Sequence, residues 1–187
     1  YQLFLHFPQK LLEYTMSAIH SFRPIAEANA RLLILGSIPG KASLEAIQYY
    51  AHPRNAFWKI LSTHLHTAPE LPYPARCQAL RDHHIALWDV LHSCTRPGSL
   101  DADIVEDSIA PNDFTTFLSQ HPHITHILFN GAKAQHAYQR YVRPDLSQDH
   151  DHLHYQRLPS TSPAHAAMRY EEKLRVWSEA LESKRLA

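Results

Sequence analysis

Residues 33–58, LILGSIPGKASLEAIQYYAHPRNAFW, form the stretch that decides the fold of this chain. The apolar run at its start predicts a short buried strand. The run breaks at residues 36–40, GSIPG, a turn in which glycine lets the backbone approach a ligand closely. Two tyrosines and an HPRN sequence follow before a predicted helix. Because open α/β sheets bind ligands at the carboxyl ends of their strands, this turn predicts a site for a flat heterocycle with polar edges.

Outward from this stretch, apolar runs alternate with helical patterns along the chain. A further helix ends at Ser119, and either Asn112 or Asp113 caps its start. The alternation of strands with helices predicts a parallel sheet that is covered on both faces. The apolar runs predict strands at 31–37, 85–91, 126–130 and 155–159, and the helical patterns predict further helices at 55–64, 74–83, 132–141 and 169–186.

Length and composition are those of one globular domain. The chain has 187 residues, of which 44% are hydrophobic and 19% are charged. Met16 is the first methionine. We therefore expect residues 1–15 to be an N-terminal extension, native or not, and residues 16–187 to form a single domain.

Charge and cysteine content restrict the partners and cofactors. Eighteen basic and eighteen acidic side chains cancel, so the overall charge does not indicate tight non-specific binding to nucleic acid. Two cysteines are too few for an iron–sulfur cluster. His83-His84 and the loop histidines His150, His152 and His154 have no clear set of carboxylate or cysteine co-ligands, so a physiological metal is not expected. No apolar run approaches the ~20 residues of a membrane span. We expect a cytoplasmic monomer without a metal or cofactor.

Three further segments follow the first stretch in order: 86–101 (ALWDVLHSCTRPGSLD), 127–134 (ILFNGAKA) and 158–166 (LPSTSPAHA). Together with residues 33–58 they resemble the motifs of the uracil-DNA glycosylase superfamily, most closely the hypoxanthine-DNA or DNA-deoxyinosine glycosylases of family 6. The resemblance implies a three-layer α/β/α sandwich with a central four-stranded parallel sheet. It also implies a repair enzyme that hydrolyses the N-glycosidic bond of a hypoxanthine or uracil flipped out of DNA.

The first motif lacks the residue that positions water in many members of the superfamily. That Asp or Asn stands two residues after the glycine, where this chain has Ile38. An aliphatic side chain cannot orient water, whereas the carboxamide of Asn55 both donates and accepts hydrogen bonds. The resemblance to family 6 implies the catalytic role for Asn55. The alternative is that Asn55 caps the helix that follows it, and the two roles are compatible.

The same motif predicts a pocket for the flipped base. The resemblance implies that the ring of Tyr50 stacks on the base, a contact worth about 1–3 kcal/mol. The backbone N–H groups of Ser37 and Ile38 are expected to bind the edge of the base. His52 either contacts the base or a phosphate, or braces the loop. A core position is an alternative for one of Tyr49 and Tyr50.

The remaining candidates come from the later segments. Asp89 stands where uracil-specific relatives carry a base-reading Asn, and a carboxylate that only accepts hydrogen bonds would favour hypoxanthine; pairing with Arg96 is the alternative. Ser160 stands where many relatives have His or Asn near the scissile bond. The loop after it is expected to enter the minor groove, although its composition also suits a plain turn. The predicted DNA-binding residues of this loop are Thr161, Ser162, Pro163, Ala164 and His165.

These residues predict a monofunctional DNA glycosylase. No lysine lies where a Schiff-base nucleophile is expected, so hydrolysis without strand cleavage is the predicted reaction. Two alternatives stay open. The missing first-motif carboxylate suits a module that binds damaged bases without catalysis, and the neutral overall charge suits a nucleoside or nucleotide hydrolase.

Overall fold

The computed structural model describes residues 18–68, 70–98 and 101–185, so the predicted extension, residues 1–15, lies outside the described residues. The described strands are β1 (Ala18–His20), β2 (Leu32–Gly36), β3 (Ile85–Asp89), β4 (Leu91–Thr95), β5 (Ala110–Pro111), β6 (His126–Asn130) and β7 (His154–Leu158). The described α-helices are α1 (Lys41–Ala46), α2 (Phe57–His64), α3 (Tyr73–Asp82), α4 (Phe114–Gln120), α5 (Ala132–Tyr141) and α6 (Tyr170–Arg185).

The central sheet has four parallel strands in the order β3-β2-β6-β7. Every residue of β2 and β3 is buried, as in a parallel sheet with helices on both faces. The prediction of a three-layer α/β/α sandwich around a four-stranded parallel sheet is therefore confirmed. Because the strands are parallel, β2, β3, β6 and β7 end at the same edge of the sheet, at Gly36, Asp89, Asn130 and Leu158.

The predicted strand at 85–91 is wrong in its extent, because the chain leaves the parallel sheet after Asp89. Val90 donates its N–H to the Gly36 carbonyl, and β4 then joins a second, antiparallel sheet in the order β1-β4-β5. The apolar run continues through Leu91, so hydropathy alone does not show the change of partner. The short helix α1 was not predicted, and its N-cap, Gly40, makes no side-chain hydrogen bond.

Two helix predictions are resolved by side-chain contacts. Asp113 caps α4, since its carboxylate accepts a hydrogen bond from the Thr116 N–H at 2.9 Å. Asn112 is instead buried and donates to the Asp89 carbonyl at 2.8 Å. Trp177 and Leu181 of α6 are buried in the core, and the indole of Trp177 donates to the Pro159 carbonyl at 2.9 Å. That bond joins α6 to the end of β7, beside the carboxyl edge of the sheet.

Candidate active site

A cleft of about 970 Å³ opens at the carboxyl edge of the central sheet. The segments that follow β2, β6 and β7 form its walls, together with the end of β3. All of the residues singled out by the sequence line it, although they come from distant parts of the chain: Ser37, Ile38, Tyr50, His52, Asn55, Asp89 and residues 160–165.

Asn55 lies in the cleft two residues before α2. Its Oδ1 accepts a hydrogen bond from the Phe57 N–H at 3.0 Å, and its own N–H donates to the His52 carbonyl at 2.8 Å. The N-cap of α2 is Ala56, which has no side-chain hydrogen bond, so Asn55 is not the cap that the sequence offered as an alternative. Its side chain instead holds the first residue of the helix from one position before the cap. Its Nδ2 has no hydrogen-bond partner among the described residues. An amide donor and a second lone pair on Oδ1 remain for a ligand or a water in the cleft.

His52 braces the loop that presents Asn55. Its Nδ1 accepts a hydrogen bond from the Arg54 N–H at 3.1 Å, and its carbonyl accepts from the Asn55 N–H. The ring is half-buried and lines the cleft. The bracing role is thus present in the structure, and the imidazole remains within reach of a bound ligand.

Tyr49 and Tyr50 have different environments. Tyr49 is 3% exposed, and its hydroxyl lies 3.3 Å from the backbone carbonyls of Phe22 and Arg23, so it is the core tyrosine. Burial, with the charge of Asp89 nearby, raises the pKa of Tyr49 well above its usual value. Tyr50 is half-buried, with a left-handed φ of 55°, and its ring stacks on Phe57 at a centroid distance of 4.0 Å. The Tyr50 ring therefore lines the cleft and is held in place by its packing against Phe57.

Gly36, Asp89 and Tyr50 converge at the floor of the cleft. A Cβ added to Gly36 would overlap Asp89 Oδ1 and lie 2.8 Å from the Tyr50 hydroxyl. Asp89 is 3% exposed and accepts a hydrogen bond from the Ser21 hydroxyl at 2.9 Å. Only a residue without a side chain fits between these groups. The sequence did not identify Ser21, which lies 68 residues before its partner.

Arg96 is a further cleft residue, which the sequence identified only as a candidate partner of Asp89. Its side chain is buried, and Nη2 donates to the Pro39 carbonyl at 2.7 Å. The guanidinium therefore holds the turn at residues 36–40 in place. Ile38, in the same turn, buries its side chain in the core, and its N–H has no acceptor among the described residues. The lining carries the cations Lys41, Arg54 and Arg96 against the carboxylates Glu45 and Asp89.

Asn130 fixes the loop at residues 160–165. Its Oδ1 accepts from the Thr161 N–H and its Nδ2 donates to the Thr161 hydroxyl, both at 2.9 Å. The Thr161 carbonyl in turn accepts from the Ala56 N–H at 3.0 Å. Thr161 is 1% exposed, so its side chain anchors the loop and does not face solvent. These bonds link the end of β6 to the segment that carries Asn55.

The rest of this loop is held by its own side chains. The Ser160 hydroxyl accepts from the Ser162 N–H, and the Ser162 hydroxyl accepts from the Ala164 N–H, both at 3.2 Å. This is the turn structure that the composition predicted as an alternative. The carbonyl of His165 accepts from the buried ammonium of Lys173 at 2.8 Å, and burial lowers the pKa of that lysine. The loop is therefore anchored at both ends.

The described residues contain neither a metal-binding cluster nor a membrane-spanning helix. Across residues 18–68, 70–98 and 101–185, no group of three or more His, Cys, Asp or Glu side chains is placed to hold a metal ion. Within the same ranges, no helix has the length and apolar character needed to cross a bilayer.

Known proteins resemble this chain in both sequence and fold. The chain is 37% identical over 114 residues to a hypoxanthine DNA glycosylase of Methanosarcina barkeri and 34% identical over 114 residues to one of Methanosarcina acetivorans, each alignment covering 60% of this chain and 71% of the relative. A solution NMR structure of a candidate uracil DNA glycosylase from Methanosarcina acetivorans matches with a TM-score of 0.70 and 30% identity, over 89% of this chain and 99% of that chain. The family model of the uracil DNA glycosylase superfamily matches residues 24–183. The chain therefore belongs to the uracil DNA glycosylase superfamily.

Proposed function

We propose that this protein is a monofunctional DNA glycosylase that removes a deaminated base from DNA, with hypoxanthine as the preferred base and uracil as the second. The superfamily and the two relatives named hypoxanthine DNA glycosylase support this reaction class. The observation that carries the proposal is the shared cleft. The amide of Asn55, the backed ring of Tyr50 and the turn at residues 36–40 all line it.

The reaction would proceed on a nucleotide that has left the duplex and entered the cleft. The base stacks on Tyr50, and the N–H of Ile38 donates to its edge. As the bond from C1′ to the base breaks, the electron pair goes to the base and positive charge develops on the sugar. Donors already fixed around the base stabilise that charge separation. Water then adds to C1′ and loses a proton, and the departing base takes up a proton.

We assign the positioning of this water to Asn55. Its Oδ1 is oriented by the Phe57 N–H, so the amide is held in one direction while Nδ2 stays available. Ile38, at the position where many relatives place a carboxylate or carboxamide, contributes only its backbone because its side chain lies in the core. The hydrolytic role therefore falls to the carboxamide across the cleft.

We assign reading of the base to Asp89. Its carboxylate is almost fully buried, lines the cleft, and is oriented by the Ser21 hydroxyl. A carboxylate accepts hydrogen bonds and cannot donate them, so it fits the ring N–H of hypoxanthine. Hypoxanthine and uracil both present a ring N–H beside a carbonyl, so Asp89 is proposed to bind that N–H in either base. The preference for hypoxanthine is supported by the two relatives of that name.

The loop at residues 160–165 is the proposed contact with the DNA backbone. Its half-buried or exposed residues Ser162, Pro163, Ala164 and His165 border the cleft. Thr161 is buried and would not contact DNA itself; it would hold the loop in place through its hydrogen bonds to Asn130. The protein is proposed to act as a monomer. Cys77 and Cys94 are both free, which fits the reducing cytoplasm.

A binding module without catalytic activity is the second candidate, because the usual water-positioning place in the first motif is packed into the core as Ile38. Such a protein would bind a deoxyinosine duplex and leave it intact. Binding without turnover therefore separates this candidate from the enzyme.

The test is a paired excision assay on matched duplexes that contain one deoxyinosine, one deoxyuridine or no lesion. We expect abasic sites, revealed by alkali, in the deoxyinosine duplex first and in the deoxyuridine duplex more slowly. Without alkali the strands should remain intact. An absence of abasic sites in both lesion duplexes would refute the glycosylase. Release of hypoxanthine from free deoxyinosine alone would identify a nucleoside hydrolase.

A further inference from the structure

Tyr50 has a backbone conformation that aromatic residues rarely adopt. Its φ is 55°, in the left-handed region where Cβ comes too close to the following carbonyl oxygen. The ring nevertheless lines the cleft and stacks on Phe57 at a centroid distance of 4.0 Å. Because a residue in such a conformation persists only where its surroundings hold it, specific contacts must keep Tyr50 there.

The peptide group before Tyr50 is fixed by an indole. The Nε1–H of Trp58 donates to the Tyr49 carbonyl at 2.7 Å, and both residues are buried. The Tyr49 N–H donates to the Tyr73 hydroxyl at 3.0 Å, and the rings of Trp58 and Tyr73 pack edge to face at 5.8 Å. Helices α2 and α3 therefore fix the chain on this side of Tyr50.

The peptide group after Tyr50 is fixed by Ser43. Its hydroxyl accepts a hydrogen bond from the Ala51 N–H at 3.2 Å. Ser43 lies in α1, is 6% exposed and borders the cleft. Alanine is the better helix former, so the helix itself does not account for a serine at this position. Since the two peptide groups on either side of a residue set its φ and ψ, Ser43 and Trp58 together determine the conformation of Tyr50.

We propose that Ser43 is a positioning residue, whose hydroxyl keeps Tyr50 in the left-handed conformation and so holds its ring in place for the flipped base. This inference rests on the proposed function. Without an acceptor for the Ala51 N–H, the peptide group could rotate and Tyr50 could relax to a more favourable region of φ and ψ, which would change the direction of its ring. A ring that is ordered before the base arrives avoids a loss of conformational entropy on binding. Ser43 therefore acts through Tyr50.

The first test compares wild type with Ser43→Ala in single-turnover excision of deoxyinosine from a duplex. The variant loses only the acceptor for the Ala51 N–H, and we expect its maximal rate to fall on the order of tenfold. Ser62→Ala is the matched control. The Ser62 hydroxyl, buried in α2, donates to the Lys59 carbonyl at 3.0 Å and bonds to neither peptide group of Tyr50. The maximal rate of this control should equal that of wild type.

A double-mutant cycle separates the positioning of Tyr50 from a general loosening of the fold. Tyr50→Asn removes the ring and tolerates the left-handed conformation, and its rate should fall because stacking is lost. In this background Ser43→Ala should lower the rate no further, because there is no ring to position. An equal fold-loss with and without the ring, or a wild-type rate for Ser43→Ala alone, would overturn the proposal.

Binding gives a readout that does not depend on excision. A duplex with 2′-fluoro-deoxyinosine resists hydrolysis, since fluorine disfavours positive charge on the sugar, and a duplex with a tetrahydrofuran abasic site lacks the base. Wild type should bind the first more tightly than the second, and Ser43→Ala should lose most of that difference. Equal differences in affinity for the two proteins would overturn the role of Ser43. Failure of wild type to excise would overturn the proposed function instead, and the binding comparison would still decide the role of Ser43.

Discussion

Gly36 is the residue on which the floor of the cleft depends. Its Cα lies so close to Asp89 Oδ1 and the Tyr50 hydroxyl that any Cβ would collide with both. Asp89 is held by Ser21, and Tyr50 is stacked on Phe57, so neither group can move without breaking a contact. Gly36 does not have a positive φ, so its backbone conformation does not require glycine. Glycine is required because there is no room for a Cβ.

We predict that Gly36→Ala destabilises the protein by about 1–3 kcal/mol, the usual cost of overpacking. Excision should fall as well, because the ring of Tyr50 and the carboxylate of Asp89, which we propose hold the base, are displaced. Urea unfolding and single-turnover rates measure the two effects. Gly40→Ala is the matched control in the same turn, since a Cβ there meets nothing within 4 Å; its stability should stay within about 0.5 kcal/mol of wild type. Equal stabilities of the two variants would disprove the proposed crowding at Gly36.

At the scale of elements, the site depends on a link between three segments that are far apart in sequence. Asn130 at the end of β6 holds Thr161 by two hydrogen bonds, and Thr161 holds the Ala56 N–H next to Asn55. Gly131 follows with φ 98°, and a Cβ there would lie 3.0 Å from that of Ser160. The end of β6 is therefore shaped to receive this loop closely.

Asn130→Ala should impair both stability and catalysis, because it leaves the buried N–H and hydroxyl of Thr161 without partners. We expect the free energy of unfolding to fall by up to about 1–3 kcal/mol for each group that is left unsatisfied. The maximal rate should fall more than the affinity for DNA, since Asn130 acts by positioning the segment of Asn55. Asn130→Asp is the matched variant: its carboxylate can accept from both groups of Thr161, so it should restore much of the rate. A wild-type rate for Asn130→Ala would show that the link does not position Asn55.

At the scale of the whole molecule, the order β3-β2-β6-β7 assembles the cleft from loops that the sequence separates widely. The chain has no net charge, yet the lining of the cleft has three cations and two carboxylates. Binding to DNA is therefore expected to rely on few phosphate contacts, with a correspondingly shallow dependence on salt. Recognition of the extruded base would supply the remaining binding free energy.

The sequence predicted the parts of this molecule that are encoded locally. The buried strands β2 and β6 and the helix α5 follow from apolar runs and helical periodicity, and the motif resemblance predicted the family. Contacts between distant segments were not predictable in this way. The pairing of Ala18 with Thr95, which builds the second sheet, and the bond of Ser21 to Asp89 leave no local pattern in the chain.

The candidate site shows the same division. The sequence predicted that Asn55, Tyr50 and Asp89 share one pocket, and they do. It did not show that Thr161 is buried or that Asn130 holds it, since the composition of residues 160–165 suits an exposed turn equally well. It also left Asn55 between a catalytic and a capping role. The structure shows a bond from the Phe57 N–H to Oδ1 and an Nδ2 donor that has no partner within the part of the chain that the structure describes.

The central claim is that the carboxamide of Asn55 positions the hydrolytic water. The most direct measurement is the single-turnover rate of deoxyinosine excision by Asn55→Ala, with Asn55→Asp as the variant that keeps an acceptor for the Phe57 N–H. If Asn55 holds the water, Asn55→Ala should lose at least about a hundredfold in rate, while its thermal midpoint falls only a few degrees, as expected for a helix-start bond of about 1 kcal/mol. A folded Asn55→Ala protein that excises hypoxanthine at the wild-type rate would contradict the claim.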